Sequence, residues 1–145
     1  MSRFGGRHSH IADHMAAVPM FYTCTKQELN TLAKLTTEID VPAGKTLTVE
    51  GEPGQEFMIV LEGTAVATVG GTQVATFGPG DFFGEIALLD PGLRTATVTA
   101  STPMVVAVVG RGEFHQMLDD VPPLAHKVMS GLARRLREVT EPAVV

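Results

Sequence analysis

The stretch "DFFGEIALLDPGLRTATV", residues 81–98, decides how the whole sequence is interpreted. After its acidic start it consists mostly of apolar and small residues, yet it carries one glutamate, Glu85, and one arginine, Arg94. Burying a lone charge costs free energy unless a partner group compensates it. The first question is therefore which groups Glu85 and Arg94 bind.

Short runs rich in β-branched residues lie on both sides of this stretch, and nearly all of them end at Gly, Pro or Ser. Such spacing is typical of a sandwich, jelly roll or barrel. The runs cover residues 38–44, 46–54, 56–63, 64–71, 72–80, 95–101 and 103–110. Residues 81–94 interrupt the series with a segment too long for a hairpin loop, in which "EIALL" could form one helical turn. A long loop inside a compact β domain is usually functional.

Helical patterns flank the β region. Thr25 and Glu28 form a capping-box signature ahead of a leucine-rich segment, which predicts a helix there. Residues 111–120 predict a short helix, and Pro122 or Pro123 stands in the first turn of a longer one. The sequence thus predicts an α+β fold: a β-roll or jelly roll of about eight antiparallel strands, with an N-terminal helical segment and two C-terminal helices.

We expect a single domain, 1–145, because the chain is long enough to bury one core and shows no composition break. Its predicted parts are an N-terminal helical segment (1–37), the β-roll (38–110), and hinge and lid helices (111–140).

Composition narrows the class of protein. The net charge of −5 disfavours broad electrostatic binding to DNA or to an anionic membrane. The single cysteine, Cys24, excludes an intramolecular disulfide and is expected to be a small buried hydrophobe. The sequence shows no signal-peptide pattern and no apolar run long enough to span a bilayer. We therefore expect a cytoplasmic protein, and the composition suggests a bacterial one.

Three motif-like segments fail on spacing or context. "AGKT" (43–46) lacks the upstream glycine of a phosphate-binding P-loop, and "GPGDFFG" (78–84) does not fit the dinucleotide pattern. His8, His10 and His14 are expected to be solvated tail residues and not a metal site. No histidine occurs in 38–110, and no catalytic constellation is evident. The sequence predicts neither an enzyme nor a metal cofactor.

A small phosphate-bearing ligand would account for the residues of the opening stretch. Gly84 lets the backbone approach a ligand, and a helical turn beginning near Ile86 would point N–H groups at an anion. Arg94 can donate two parallel hydrogen bonds to a phosphodiester. Glu85 would repel phosphate but can accept a hydrogen bond from a sugar hydroxyl. The alternative is that Glu85 and Arg94 only pair with each other.

The segment "FGEIALLDPGLRTATV" resembles the phosphate-binding cassette of the cyclic nucleotide-binding domain family, found in catabolite activator proteins, cyclic-nucleotide-dependent kinases and gated channels. "VPAGKTLTVEGEPGQEFMIVLEGTA", "FGPGDFFGE" and "GEFHQMLDDVPPLAHKVMSGLARRLRE" match the same layout, so that the resemblance covers about residues 16–139. It implies a cassette at 84–97 that contains a short helix.

The resemblance also implies a role for each matching residue. Glu85 would bind the ribose 2′-hydroxyl and Arg94 the cyclic phosphate, while Thr95 would offer its hydroxyl to the phosphate or the base. Backbone contacts would come from Gly84, Ile86 and Ala87, and the last helix would place Arg135 near Glu85 and Val139 or Thr140 near the base. Arg135 and its neighbours Arg134 and Arg137 could equally belong to a solvated helix end.

The implied ligand is a cyclic nucleotide, with no other cofactor. Thr95 is compatible with cAMP and with cGMP, and we favour cAMP. In the implied mechanism, Leu88 repacks against a hinge near Phe114 and the helix at 122–140 closes as a lid. Its apolar stripe could serve a protein effector or a homodimer, or simply cover the roll.

The sequence ends at Val145 without a helix-turn-helix segment, which predicts a free-standing receptor that does not bind DNA. The other interpretation kept open is a structural or interaction module with a vestigial cassette. The partner, the affinity and the oligomeric state are left open by the sequence, as is whether the chain is part of a longer protein.

Overall fold

The computed structural model describes residues 13–16, 21–22, 24–84 and 92–140, with only the backbone for part of the last helix. Three helices are α1 (Lys26–Leu35), α2 (Arg111–Asp120) and α3 (Pro122–Thr140). The strands are β1 (Thr37–Val41), β2 (Thr46–Thr48), β3 (Glu56–Glu62), β4 (Ala65–Val69), β5 (Thr72–Phe77), β6 (Phe82–Phe83), β7 (Thr97–Ala100) and β8 (Met104–Gly110).

The strands form two four-stranded sheets, which we call sheet A and sheet B. Sheet A has the order β1-β8-β3-β6, and sheet B has the order β2-β7-β4-β5. The paired strands in both sheets run antiparallel. The predicted α+β class with a roll of antiparallel strands is therefore confirmed.

Strand β3 is buried along both of its faces, from Phe57 to Leu61, while Glu56 and Glu62 at its ends are exposed. Successive side chains of a strand point to opposite faces of the sheet, so these five apolar residues feed two separate cores. Met58 and Val60 point into the core between the sheets. Phe57 and Ile59 point into the core between sheet A and the helices.

The helices cover the outer face of sheet A. Leu32 of α1, Phe114 and Met117 of α2, and Leu124 of α3 are fully buried in this helical core. Helix α1 begins with the predicted capping box, in which the N–H of Glu28 donates to the hydroxyl of Thr25 at 3.1 Å and the N–H of Thr25 donates to the carboxylate of Glu28 at 2.8 Å. Among the described residues, no helix is long and apolar enough to cross a membrane.

Strand β6 lies inside the stretch that the sequence predicted as a loop. Phe82 and Phe83 pair with Ile59 and Met58 of β3. Their side chains enter different cores: Phe82 packs on the helical side and Phe83 between the sheets. Two adjacent aromatic residues can be buried in this way only where the backbone is extended between two apolar layers.

The prediction that His14 is a solvated tail residue is wrong. Residues 13–16 form a short helical segment, and Met15 is fully buried in the helical core. The neighbouring His14 contacts two carboxylates on sheet A. The burial of Met15 explains the error, because it fixes the chain that carries the histidine. His8 and His10 lie outside the described residues.

Cys24 is half-buried against the helical core, close to its predicted role as a small hydrophobe. Burial, together with the nearby charge of Glu28, raises the pKa of its thiol, and Lys127 partly opposes that shift. The thiolate is therefore disfavoured at neutral pH, which makes the side chain a packing group.

Phe57 connects sheet A to the helices, since its ring lies 4.8 Å from that of Phe114 and 5.6 Å from that of Phe82. We expect Phe57→Ala to lower the free energy of unfolding by about 3–5 kcal/mol, because the cavity removes contacts from three elements. Val74→Ala, at an exposed position of β5, should change it by less than about 0.5 kcal/mol. Urea denaturation of both variants tests this, and equal losses would contradict the packing described.

Candidate ligand-binding site

The ends of the predicted cassette are both attached to one corner of the roll, near the start of β3. Gly84 follows β6 directly and has a φ of 92°, a left-handed conformation that favours glycine. At the other end, Leu93 forms an isolated antiparallel bridge with Pro53. The N–H of Arg94 donates to the carbonyl of Glu52 at 2.8 Å. The loop between β6 and β7 thus begins and ends beside the β2–β3 connection.

The side chain of Arg94 is buried at this corner, with 6% of its surface exposed. Its Nη2 donates to the carbonyl of Glu56 at 2.9 Å, and its Nη1 donates to the carbonyl of Gly84 at 3.3 Å. Backbone carbonyls are fixed acceptors, so these bonds set both the position and the plane of the guanidinium. The buried guanidinium therefore has a defined orientation.

Two glycines make room for this guanidinium. A Cβ built on Gly54 would overlap the Nε of Arg94, and one on Gly84 would lie 2.8 Å from its Nη1 and 2.5 Å from the carbonyl oxygen of Glu56. Even an alanine at Gly54 therefore requires the guanidinium to move. The site is built around the arginine from both sides of the corner.

Glu56 contributes a charge as well as a carbonyl. Its carboxylate Oε1 lies 3.6 Å from Nη2 of Arg94, and about half of its side chain is exposed. The distance is beyond that of a good hydrogen bond, and solvent screens the pair, so its contribution to stability is small. The carboxylate does, however, partly neutralise Arg94 from the solvent side. Among the described residues, no group of acidic, histidine and cysteine side chains could hold a metal ion.

The structure places only some of the predicted site residues. It brings Gly84 and Arg94 into contact, and it leaves the side chain of Thr95 exposed next to them. Phe114, the predicted hinge residue, is fully buried against Phe57. Glu85, Ile86, Ala87 and Leu88 lie outside the described residues. Arg135 and Thr140 lie on α3, and the structure does not describe their side chains.

Sequence reasoning missed Gly54 and Glu56. The "GEPG" segment (51–54) was interpreted only as the end of a β run and as part of the family layout. Gly54 has no positive φ and so does not serve the turn, which leaves the approach of Arg94 as its physical reason. Glu56 acts mainly through its carbonyl, which no residue type reveals. A glycine two residues before the first residue of a buried strand was the available signal.

Comparison with known proteins identifies the family of this chain. The family model "Cyclic nucleotide-binding domain" matches residues 38–121, from β1 to the end of α2, and thereby includes both glycines and Arg94. The chain belongs to the cyclic nucleotide-binding domain family. Within this family the corner formed by Gly54, Glu56, Gly84 and Arg94 is our candidate ligand-binding site.

Two relatives and one solved structure illustrate the similarity. The chain is 31% identical over 128 residues to the CRP-like cAMP-activated global transcriptional regulator of Mycobacterium tuberculosis, covering 85% of this chain and 57% of that protein. It is 41% identical over 106 residues to the cAMP-dependent protein kinase regulatory subunit of Yarrowia lipolytica, covering 72% and 28%. The catabolite activator protein of Thermus thermophilus aligns with a TM-score of 0.75 at 30% identity, covering 83% and 59%.

The chain thus spans little more than half of the Mycobacterium regulator and under a third of the Yarrowia subunit. These relatives are a transcriptional regulator and the regulatory subunit of a kinase.

Gly54→Ala tests whether the corner is built around Arg94. The new methyl group should displace the guanidinium and break its bonds to the carbonyls of Glu56 and Gly84. The Nε–Hε resonance of Arg94 should shift and broaden in NMR spectra, while Gly78→Ala, where a Cβ meets nothing, leaves it unchanged. An unaltered Arg94 resonance in Gly54→Ala would show that the side chain is not held as described.

Proposed function

We propose that this domain is a receptor for a cyclic nucleotide, with cAMP as the favoured ligand, and that Arg94 binds the cyclic phosphate. The observation that carries the proposal is the buried guanidinium of Arg94, fixed by the carbonyls of Glu56 and Gly84 inside a matching family domain. The alternative, a structural module with a vestigial cassette, leaves the room that two glycines provide without a purpose.

The chemistry of the corner suits a phosphodiester. A planar guanidinium donates parallel hydrogen bonds to two oxygens of one phosphate, and a buried position strengthens them because water does not compete. The cyclic phosphate carries one negative charge, which compensates one arginine. Since backbone carbonyls orient Arg94 before any ligand arrives, little side-chain entropy remains to be lost on binding.

The remaining contacts follow from the family resemblance. Glu85 accepts from the ribose 2′-hydroxyl, and the backbone N–H groups of Gly84, Ile86 and Ala87 contact the phosphate. Thr95, which is exposed beside Arg94, offers its hydroxyl to the phosphate or the base. Arg135 and Thr140 on α3 approach the ribose-binding glutamate and the base when the helix closes over the ligand.

The preference for cAMP over cGMP is supported by the names of the relatives, "cAMP-activated" in one and "cAMP-dependent" in the other. Thr95 is compatible with both bases, so the selectivity between cAMP and cGMP has to be measured with both ligands.

The proposed output is a change in the position of α3. In this mechanism Leu88 moves with the occupied cassette and repacks near Phe114, and α3 then presents its surface to an effector or to a second copy. A ligand shifts such an equilibrium only through its different affinity for the two states. The proposal includes no catalysed reaction and no DNA contact, and it treats 1–145 as one regulatory domain.

Calorimetric titration of the purified chain with cAMP, and separately with cGMP, tests the proposal. We expect micromolar or tighter binding of cAMP. Arg94→Ala should weaken binding by about 2–5 kcal/mol, roughly 30-fold to several thousand-fold, because the phosphate charge loses its partner. Lys45→Ala, which removes an exposed cation on the β1–β2 turn, is the matched control and should bind as the native chain does.

Arg94→Lys accompanies these variants because it keeps the charge if Arg94→Ala fails to fold. We expect the Arg94→Lys variant to recover only part of the affinity, since an ammonium group lacks the paired geometry. No heat with either nucleotide from a folded sample would overturn the receptor proposal and support the structural module. Stronger binding of cGMP would overturn only the ligand preference, and hydrolysis of either nucleotide would identify an enzyme.

Methionine methyl groups report the proposed movement without added labels. Met129 on α3 is 62% exposed, whereas Met104 between the sheets is 2% exposed. With saturating cAMP we expect the Met129 methyl resonance to shift and that of Met104 to stay in place. A ligand that binds by calorimetry but leaves Met129 unaltered would contradict an output through α3 while leaving the receptor proposal intact.

A further inference from the structure

The carboxylate of Glu56 lies beside the guanidinium that the proposed function assigns to the ligand phosphate. Its Oε1 is 3.6 Å from Nη2 of Arg94, the same nitrogen that donates to the main-chain carbonyl of Glu56 at 2.9 Å. The side chain of Glu56 is 52% exposed, so its carboxylate also reaches solvent. One residue therefore presents two different acceptors to one nitrogen, a carbonyl fixed in the strand and a charged group on an exposed side chain.

The two acceptors have opposite effects on an incoming anion. A guanidinium has five N–H donors, and the main-chain carbonyls of Glu56 and Gly84 each accept from one of them. These neutral acceptors hold the guanidinium without adding a negative charge to the corner. The carboxylate of Glu56, in contrast, offsets the charge of Arg94 and repels a second anion that comes close to it. An anion that approaches Nη2 therefore meets a negative charge at the same nitrogen.

From this geometry we infer that the carboxylate of Glu56 competes with the ligand phosphate for Arg94 and thereby lowers the affinity of the receptor. The inference rests on the proposed function, because it concerns the phosphate that Arg94 binds. A bound phosphate either displaces the carboxylate towards solvent or stays close to it. Both courses cost binding free energy, the first through the lost attraction between Glu56 and Arg94 and the second through repulsion between two anions.

A carboxylate beside an arginine can also serve to orient it, but the contacts of Arg94 argue against that role for Glu56. The carbonyls of Glu56 and Gly84 set the plane of the guanidinium, and both remain when the side chain of Glu56 is changed. The carboxylate, at 3.6 Å, lies beyond the distance of a good hydrogen bond. Removing its charge should therefore leave Arg94 in place and remove only the competition.

Glu56→Gln removes the charge but keeps the side-chain length and the main-chain carbonyl. By calorimetry at low ionic strength, we expect this variant to bind cAMP about 2-fold to 5-fold more tightly than the native chain, the range of an exposed charge pair. In about 1 M salt, where the screening length falls to about 3 Å, the ratio should approach one. Glu62→Gln, at the other end of β3 and 59% exposed, is the matched control and should bind as the native chain does.

Inorganic phosphate is a second probe, and it does not depend on recognition of a nucleotide. Its binding is followed at constant ionic strength through the Nε–Hε resonance of Arg94. We expect the midpoint of this titration to lie at a lower phosphate concentration in Glu56→Gln than in the native chain. A sharp Arg94 resonance in the ligand-free variant shows that the guanidinium is still held by the two carbonyls.

The two probes separate this inference from the proposed function. If the native chain binds cAMP and Glu56→Gln binds it equally or more weakly, the competition is overturned while the receptor proposal stands. If the native chain binds no nucleotide, the receptor proposal fails and the phosphate titration decides. An unchanged midpoint, or no response of Arg94 to phosphate, then overturns the competition, and a lower midpoint supports it for another phosphate-bearing ligand.

Discussion

Strand β3 must satisfy two cores at once, and the rest of the structure depends on that constraint. Its residues Phe57–Leu61 alternate between the interior of the roll and the helical layer, so neither layer can form without it. The carbonyl of Glu56, at its first position, accepts a hydrogen bond from Arg94. The carboxylate of Glu62, at its last position, contacts the ring of His14. The rigid strand thus fixes one basic side chain at each end, through a carbonyl at the first and a carboxylate at the last.

The candidate site is precise because backbone atoms hold it. Side chains that position other side chains can change rotamer, whereas the carbonyls of Glu56 and Gly84 move only if the sheet or the turn moves. Gly54 also positions the guanidinium through the backbone, because a side chain at this residue would occupy the space of Arg94. A charge held in this way is oriented before a ligand binds, which lowers the entropy lost on binding.

The sequence predicted the architecture well because its signals are local and periodic. The capping box at Thr25 and Glu28 predicted the first helix, and the β-branched runs predicted most strands. The structure confirms that helix and those strands. Strand β6 was not predicted, because two consecutive phenylalanines show no alternation of apolar and polar residues when both faces of the strand are buried. The roles of Gly54 and Glu56 and the contacts of His14 were not predicted for another reason. They depend on residues that are distant in the sequence and become neighbours only in the folded chain. Arg94 and Gly84 could be proposed from the sequence because a guanidinium, and a glycine that lets the backbone approach, suit an anionic ligand.

The uncharged hairpin of sheet B has a consequence for the behaviour of the protein in concentrated solution. Residues 63–80, which include β4 and the edge strand β5, contain no charged side chain, and Val74 stands 58% exposed on that edge. The net charge of −5 is therefore carried elsewhere and gives this edge little electrostatic protection. An edge strand without charge or proline is the place where a second chain can add hydrogen bonds. This edge is thus open to strand addition by a second chain, and a lysine on β5 would protect it.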